Sequence, residues 1–289
     1  MTLLTFRFSV NHDLSFQSFS GFSSRGVFFD ILGRASYELT EELHRRKGIA
    51  PYSTSPIEFF EEGALRRIAY RRLPATTNAS LRISLFDPML YKFFEKAIFS
   101  GLSSLKLLGE ECPLLEIAIK TVDPKKLIDE AEPVRRFSVT FKTPTVFRLT
   151  PRGPIDKPGS QSPFRLYPLP DPILLARSVL RIWKNFFGQP PCGRDFDEWL
   201  TTGGVAISGY PRGLKTYRLY EHPHSNKWIV GFLGTVHYSL PDDTYDEKHA
   251  KVMNALLRLA EYTNVGAGKT AGFGMVVLKP FAGEAKQGA

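Results

Sequence analysis

The chain has 289 residues, 43% of them hydrophobic, a length that suits two domains with a core each. Lysine and arginine number 38 against 29 acidic residues, and the resulting charge of +9 favours polyanionic partners. Two distant cysteines, Cys112 and Cys192, argue against a disulfide framework or a zinc site. The opening "MTLLTFRFSV" lacks the build of a signal peptide, and no run of about eighteen apolar residues could span a membrane, so a soluble cytoplasmic protein is expected.

In chain order, Leu4, Phe6, Phe8 and Val10 alternate as an opening strand. Val27, Ile31, Ala35, Leu39 and Leu43 follow at helical spacing, with Gly33 and Ser36 as breakpoints. "PYSTSPIEFF" (Pro51–Phe60) and "ALRRIAYRRL" (Ala64–Leu73) look extended, "SLRISLF" (Ser80–Phe86) is a strand, Met89–Leu102 an amphipathic helix and Leu114–Val122 a closing strand. The second half repeats this rhythm. Arg135–Leu149 is strand-like with an edge, bulge or break at Pro144. Seven prolines from Pro151 to Pro172 forbid regular structure there. Pro172–Gly188 is a helix with proline at its start, and "GLKTYRLYEH" with "KWIVGFLGTVHYSL" forms a long hairpin. A helix over Glu247–Tyr262 and a strand at Met275–Leu278 complete the half. The expected fold class is α+β, two tandem ferredoxin-like (βαββαβ) domains spanning 1–126 and 127–289.

The stretch "NVGAGKTAGFGMVVL" (Asn264–Leu278) carries Gly266, Gly268, Gly272 and Gly274 around Lys269. A P-loop needs a glycine five positions before its Gly-Lys pair, and Thr263 stands there. The element order is also reversed, because a P-loop follows a strand and opens a helix. A dinucleotide fingerprint fails for the same reason. Two readings remain open: an anion-binding nest beside Lys269, or a helix cap followed by a glycine turn.

Of six histidines, His12, His222, His224, His237 and His249 have no partner visible in the sequence. His44 closes a helix and precedes Arg45, Arg46 and Lys47. It is either a group poised for proton transfer or part of a solvated basic helix end. No paired carboxylates or metal-ligand spacing stand out, so no metal and no cofactor are expected.

Together, "LHRRKGIAPYSTSPI" (Leu43–Ile57), "FKTPTVFRL" (Phe141–Leu149), "GFLGTVHYSL" (Gly231–Leu240) and "EYTNVGAGKTAGFGMV" (Glu261–Val276) resemble the repeat-associated RAMP superfamily. Within it the likeness is to CRISPR-associated protein family six, the endoribonuclease that cuts precursor CRISPR RNA in its repeats. The resemblance implies metal-independent attack by the RNA's own 2′-hydroxyl, giving a 2′,3′-cyclic phosphate and a 5′-hydroxyl. The family histidine falls on His44, with Lys47, Arg46 or Arg45 standing in for a lysine whose position falls near Ala50. The tyrosine that assists in some members falls on or near Phe29, which transfers no proton. The resemblance further implies RNA-backbone contacts at Gly266, Gly268, Lys269, Gly272 and Gly274, assisted by Arg212, Lys215 and Arg218, with Tyr217 or Tyr220 stacking a base. The implied partner is CRISPR repeat RNA. Subunits of a CRISPR interference complex and a homodimer are left open, and a noncatalytic CRISPR RNA-binding subunit is the competing reading.

Overall fold

The computed structural model describes residues 1–46, 48–61, 65–75, 77–149, 164–221 and 228–281. By contacts these fall into two units. The first takes residues 1–124 with 185–188 and 268–273; the second takes 125–184, 189–267 and 274–289.

In the first unit the elements are β1 (Thr2–Ser9), β2 (Leu14–Ser15), α1 (Ser20–Ala35), α2 (Tyr37–Arg45), β3 (Tyr52–Thr54), β4 (Glu58–Glu61), β5 (Leu65–Ile68), β6 (Arg72–Leu73), β7 (Asn78–Leu85), α3 (Pro88–Phe99), β8 (Ser104–Leu107) and β9 (Glu110–Thr121). The antiparallel sheet runs β5-β4-β7-β1-β9-β8, and β3 also pairs with β7. With β1 and β7 central, and β9 and β3–β4 flanking them, this is the ferredoxin-like order. The alternation in β1 has its expected outcome: Leu4, Phe6 and Phe8 are buried with Leu81 and Ile83 of β7. Val27, Phe28, Ile31 and Leu32 of α1 enter the same core with Leu90, Phe94 and Ala97 of α3.

The helical stretch before His44 breaks at Ser36, whose extended backbone (φ −159°) ends α1 and caps α2. Its Oγ accepts from the Leu39 amide at 3.2 Å, while Gly33 stays inside α1. Asp87 caps α3 in the same way, accepting from Met89 N at 2.8 Å ahead of a proline at the first helical position.

The second unit opens with α4 (Pro124–Asp129), β10 (Arg136–Thr145), β11 (Phe147–Leu149), β12 (Arg165–Tyr167), α5 (Pro172–Phe186), α6 (Arg194–Thr201), β13 (Ala206–Gly209), β14 (Leu214–Glu221), β15 (Trp228–Ser239), α7 (Glu247–Thr263) and β16 (Val276–Pro280). Its sheet runs β13-β15-β10-β16, with β14 on β15, again the ferredoxin-like plan. Phe137, Val139 and Phe141 of β10 are buried, as are Leu175, Val179 and Ile182 of α5 and Met253, Leu256 and Ala260 of α7.

Pro144 lies where β10 loses register with β15, between Phe141 and Thr145. Pro144 has no amide hydrogen, so it cannot donate to the ladder there. One sequence expectation is overturned: the proline-rich segment is not wholly irregular, because Arg165–Tyr167 pairs with β11. The prolines at 163 and 168 flank that strand, which leaves its amides free to pair. Residues 150–163 lie outside the described residues. Helix α6 was also not expected; it buries Phe196, Trp199 and Leu200, three residues on one face.

Candidate active site

His44 sits in the last turn of α2, and the Ser36 break folds that turn back along α1. Its imidazole lies flat on the Phe29 ring, with centroids 3.7 Å apart and planes 15° from parallel. His44 is exposed, and among the described residues neither ring nitrogen has a hydrogen-bond partner. The imidazole is therefore open to a ligand. Arg45 is held by Glu41 at 2.9 Å one turn back, whereas Arg46 is exposed without an ion pair among the described residues. Lys47 lies outside the described residues.

A second layer supports this pair. Arg25, one turn before Phe29 on α1, places its guanidinium carbon 5.6 Å from the Phe29 centroid. Arg25 also hydrogen-bonds the Tyr52 hydroxyl, as does the side chain of Thr270. Tyr52 is 3% exposed, stacked on Phe28 at 3.5 Å and edge-on to Phe29 at 6.1 Å. Burial pushes its pKa up to about 12, although Arg25 and Thr270 both pull it down. Tyr52 is thus a neutral, inaccessible phenol. It is no proton-transfer group for the site, but it can hold Arg25 in place.

Thr270 comes from the glycine loop. As expected, a helix precedes that loop and a strand follows it, so it is no P-loop. Gly266, Gly268, Gly272 and Gly274 all have φ between +71° and +76°. Each also marks a close approach that a Cβ would block. A Cβ on Gly272 would stand 2.6 Å from Pro56 N, one on Gly274 1.8 Å from Val265 O, and one on Gly266 2.5 Å from Val146 O. On Gly268 it would enter the Phe273 ring, at 2.4 Å.

Between these glycines a single 3₁₀ turn, Lys269–Ala271, packs against β3 and the start of α1. Thr54 Oγ1 donates to Thr270 O at 3.0 Å, and Phe273 stacks on Phe19 with centroids 5.1 Å apart. A Cβ at Gly21 of α1 would lie 2.0 Å from Ala271 O, so that glycine too is required by the loop. Gly272 and Gly274 are buried, Gly266 and Lys269 half-buried, and Gly268 exposed.

The structure therefore brings His44 and the loop's Thr270 into one cluster through Phe29, Tyr52 and Arg25. The basic residues expected to assist are in the second unit. Arg212 is exposed in the turn before β14, and Lys215 and Arg218 are exposed on β14 itself. Tyr217 on that strand is half-buried. Arg25 and Tyr52 were not singled out as site residues from the sequence. The one available signal was that Arg25 stands one helical turn from Phe29. Among the described residues no group of three or more His, Cys, Asp or Glu is arranged to hold a metal, and no helix is long and apolar enough to cross a membrane.

Comparison with known proteins places this arrangement. The two units share the tandem ferredoxin-like fold class. Residues 139–276 match the family described as CRISPR-associated endoribonuclease Cas6. A solved Cas6 product complex is 21% identical, with a TM-score of 0.72 over 96% of this chain and 99% of that one. Cas6 of Thermus thermophilus is 21% identical at a TM-score of 0.65, covering 96% and 98% of the two chains. A Cas6-related protein from Pyrococcus furiosus is 16% identical at 0.56, over 96% and 98%. No curated protein matches the sequence. The family match over residues 139–276 and the likeness of fold to these structures point the same way.

Proposed function

We propose that the protein is an endoribonuclease that cuts CRISPR repeat RNA without a metal ion. The observation that carries this reading is the stack of His44 on Phe29, tied through Tyr52 to Thr270 of the glycine loop. In the proposed step the RNA 2′-hydroxyl gives up its proton and its oxygen bonds to the adjacent phosphorus. The bond from phosphorus to the 5′-oxygen breaks, and that oxygen takes a proton. The products are a 2′,3′-cyclic phosphate and a 5′-hydroxyl, with no water consumed.

His44 is the proton-transfer group, exposed and held in orientation by its ring stack. Arg25 and Arg46 supply positive charge for the phosphate oxygens as negative charge builds on them. The glycine loop, with Lys269, follows the RNA backbone, assisted by Arg212, Lys215 and Arg218. The protein's place is the processing of precursor CRISPR RNA, a reading supported by the match to a family described as a CRISPR-associated endoribonuclease.

One observation favours a second reading, a noncatalytic RNA-binding subunit: the ring stacked on His44 is Phe29, which offers no proton where some members of the resembled family have a tyrosine. Incubating the protein with CRISPR repeat RNA in EDTA separates the two. A single cut within the repeat supports the enzyme, and a gel shift without a cut supports the binding subunit.

A further inference from the structure

The short ribbon formed by β11 and β12 takes no part in the site above, and its surface is unusual. Phe147 pairs with Tyr167, Arg148 with Leu166 and Leu149 with Arg165. Phe147 is 2% exposed and lies 6.2 Å from Phe232, which roots the ribbon in the second unit's core. Burial then stops. Phe164, Leu149 and Leu166 are 49%, 40% and 37% exposed.

Residues directly opposite in an antiparallel pair share a face. Arg148 and Leu166 therefore occupy one face of the ribbon, and Leu149 and Arg165 the other. Phe164 joins Arg148, whose guanidinium carbon stands 4.5 Å from its ring centroid. Neither strand contains an acidic residue, and among the described residues neither Arg148 nor Arg165 makes an ion pair.

A two-stranded ribbon cannot bury both of its faces by itself, and exposed apolar side chains grouped in this way mark an interaction surface. The charge selects the occupant. Arg148 on the exposed Phe164 ring, with Arg165 on the other face and neither ion-paired among the described residues, suits a chain of phosphates bearing flat bases.

We propose that the β11–β12 ribbon binds an unpaired stretch of RNA, with one base stacked on the Phe164–Arg148 pair and a phosphate held by Arg165. The ligand class rests on the RNA-cleaving reading above. Base stacking on an aromatic is sequence-tolerant and worth about 5- to 100-fold in affinity per base. Each phosphate contact contributes about 0.7 to the salt slope for single strands.

The test uses the full chain and a fluorescent repeat RNA made uncleavable by a 2′-deoxy nucleotide at the cut, with photoreactive thiouridine at unpaired positions. Phe164→Ala is expected to weaken binding by about 5- to 100-fold, and Phe164→Trp to restore it. Arg165→Ala should lower the salt slope by about 0.7, and the cross-link should fall on the peptide holding Phe164. Folding of each variant is checked by circular dichroism, and these exposed side chains leave the core intact. Wild-type affinity and slope in both variants would overturn the ribbon's role, even while the wild-type protein still cuts repeat RNA. Phe164-dependent binding without any cut of the all-ribose RNA would support the ribbon and overturn the endonuclease reading. A wild-type protein that binds no RNA overturns the ribbon proposal.

Discussion

The imidazole of His44 rests face to face on Phe29, 3.7 Å from centroid to centroid. The stack fixes the ring plane, and the residue stays exposed. His44→Ala should therefore keep RNA affinity near wild type while slowing single-turnover cleavage by about 10²- to 10⁴-fold, the usual worth of general acid–base catalysis. Rapid-quench kinetics and anisotropy on the same RNA separate the two effects.

Phe29 itself yields a directional prediction. Phe29→Tyr adds a hydroxyl on the ring between His44 and Arg25, supplying a proton donor beside the imidazole. Cleavage by this variant should be faster than wild type. Phe29→Ala should slow cleavage, because His44 loses the surface that orients it. Single-turnover rates of the three proteins test the order.

Gly274 and Gly26 should behave in opposite ways. Gly274 has φ +71° and no room for a Cβ beside Val265 O, so Gly274→Ala should lower the melting temperature markedly, by several kcal/mol of stability. Gly26, exposed in α1 with nothing within 4 Å of an added Cβ, should gain about 0.5–1 kcal/mol as alanine. Thermal unfolding of both variants checks the pair. An effect of Gly274→Ala on RNA binding is meaningful only where the variant is folded.

Alkaline stability should reveal Tyr52. Its folded pKa of about 12 lies above the ordinary value of 10, so burial favours the protonated form. That contribution is complete below about pH 10 and is lost as pH rises towards 12. Tyr52→Phe should flatten this part of the stability curve. Cys112 and Cys192, both pushed up to about 11, act in the same direction from pH 9 upward, so the variant is compared with wild type across the whole range.

RNA binding should weaken steeply with salt. Neutralising about five phosphates predicts a slope near −3.5 in log K against log salt. The pairs Arg71-Arg72 and Arg135-Arg136 overstate the free charge, since Arg72 is bound to Asp13 and Arg135 to Asp242. Such surface pairs are weak and exchange readily for phosphate. A titration from about 50 to about 200 mM salt measures the slope.

The doubled βαββαβ plan was legible because strands and helices of both halves carry clear periods of two and of 3.6. The order of helix, glycine loop and strand could also be read, and it removed the P-loop. The destination of the loop could not. Thr54 and Thr270 stand 216 positions apart, and no local pattern announces their hydrogen bond. Arg25 stayed hidden for the same reason, since its meaning depends on Tyr52 and on the loop beyond it. His249, without a visible partner in the sequence, sits 3.3 Å from both Asp195 and Asp246. Those contacts bring together the first turns of α6 and α7, and α6 was itself unforeseen.

The most direct test of the central claim is the chemistry of the cut end. Repeat RNA is incubated with the protein in EDTA, alongside the same RNA carrying one 2′-deoxy nucleotide at the cut, and the products are weighed by mass spectrometry. The 2′-hydroxyl mechanism predicts a 2′,3′-cyclic phosphate and a 5′-hydroxyl from the first RNA, and binding without cleavage of the second. Cleavage of the deoxy RNA at the same bond, or a cut that EDTA abolishes, would contradict it.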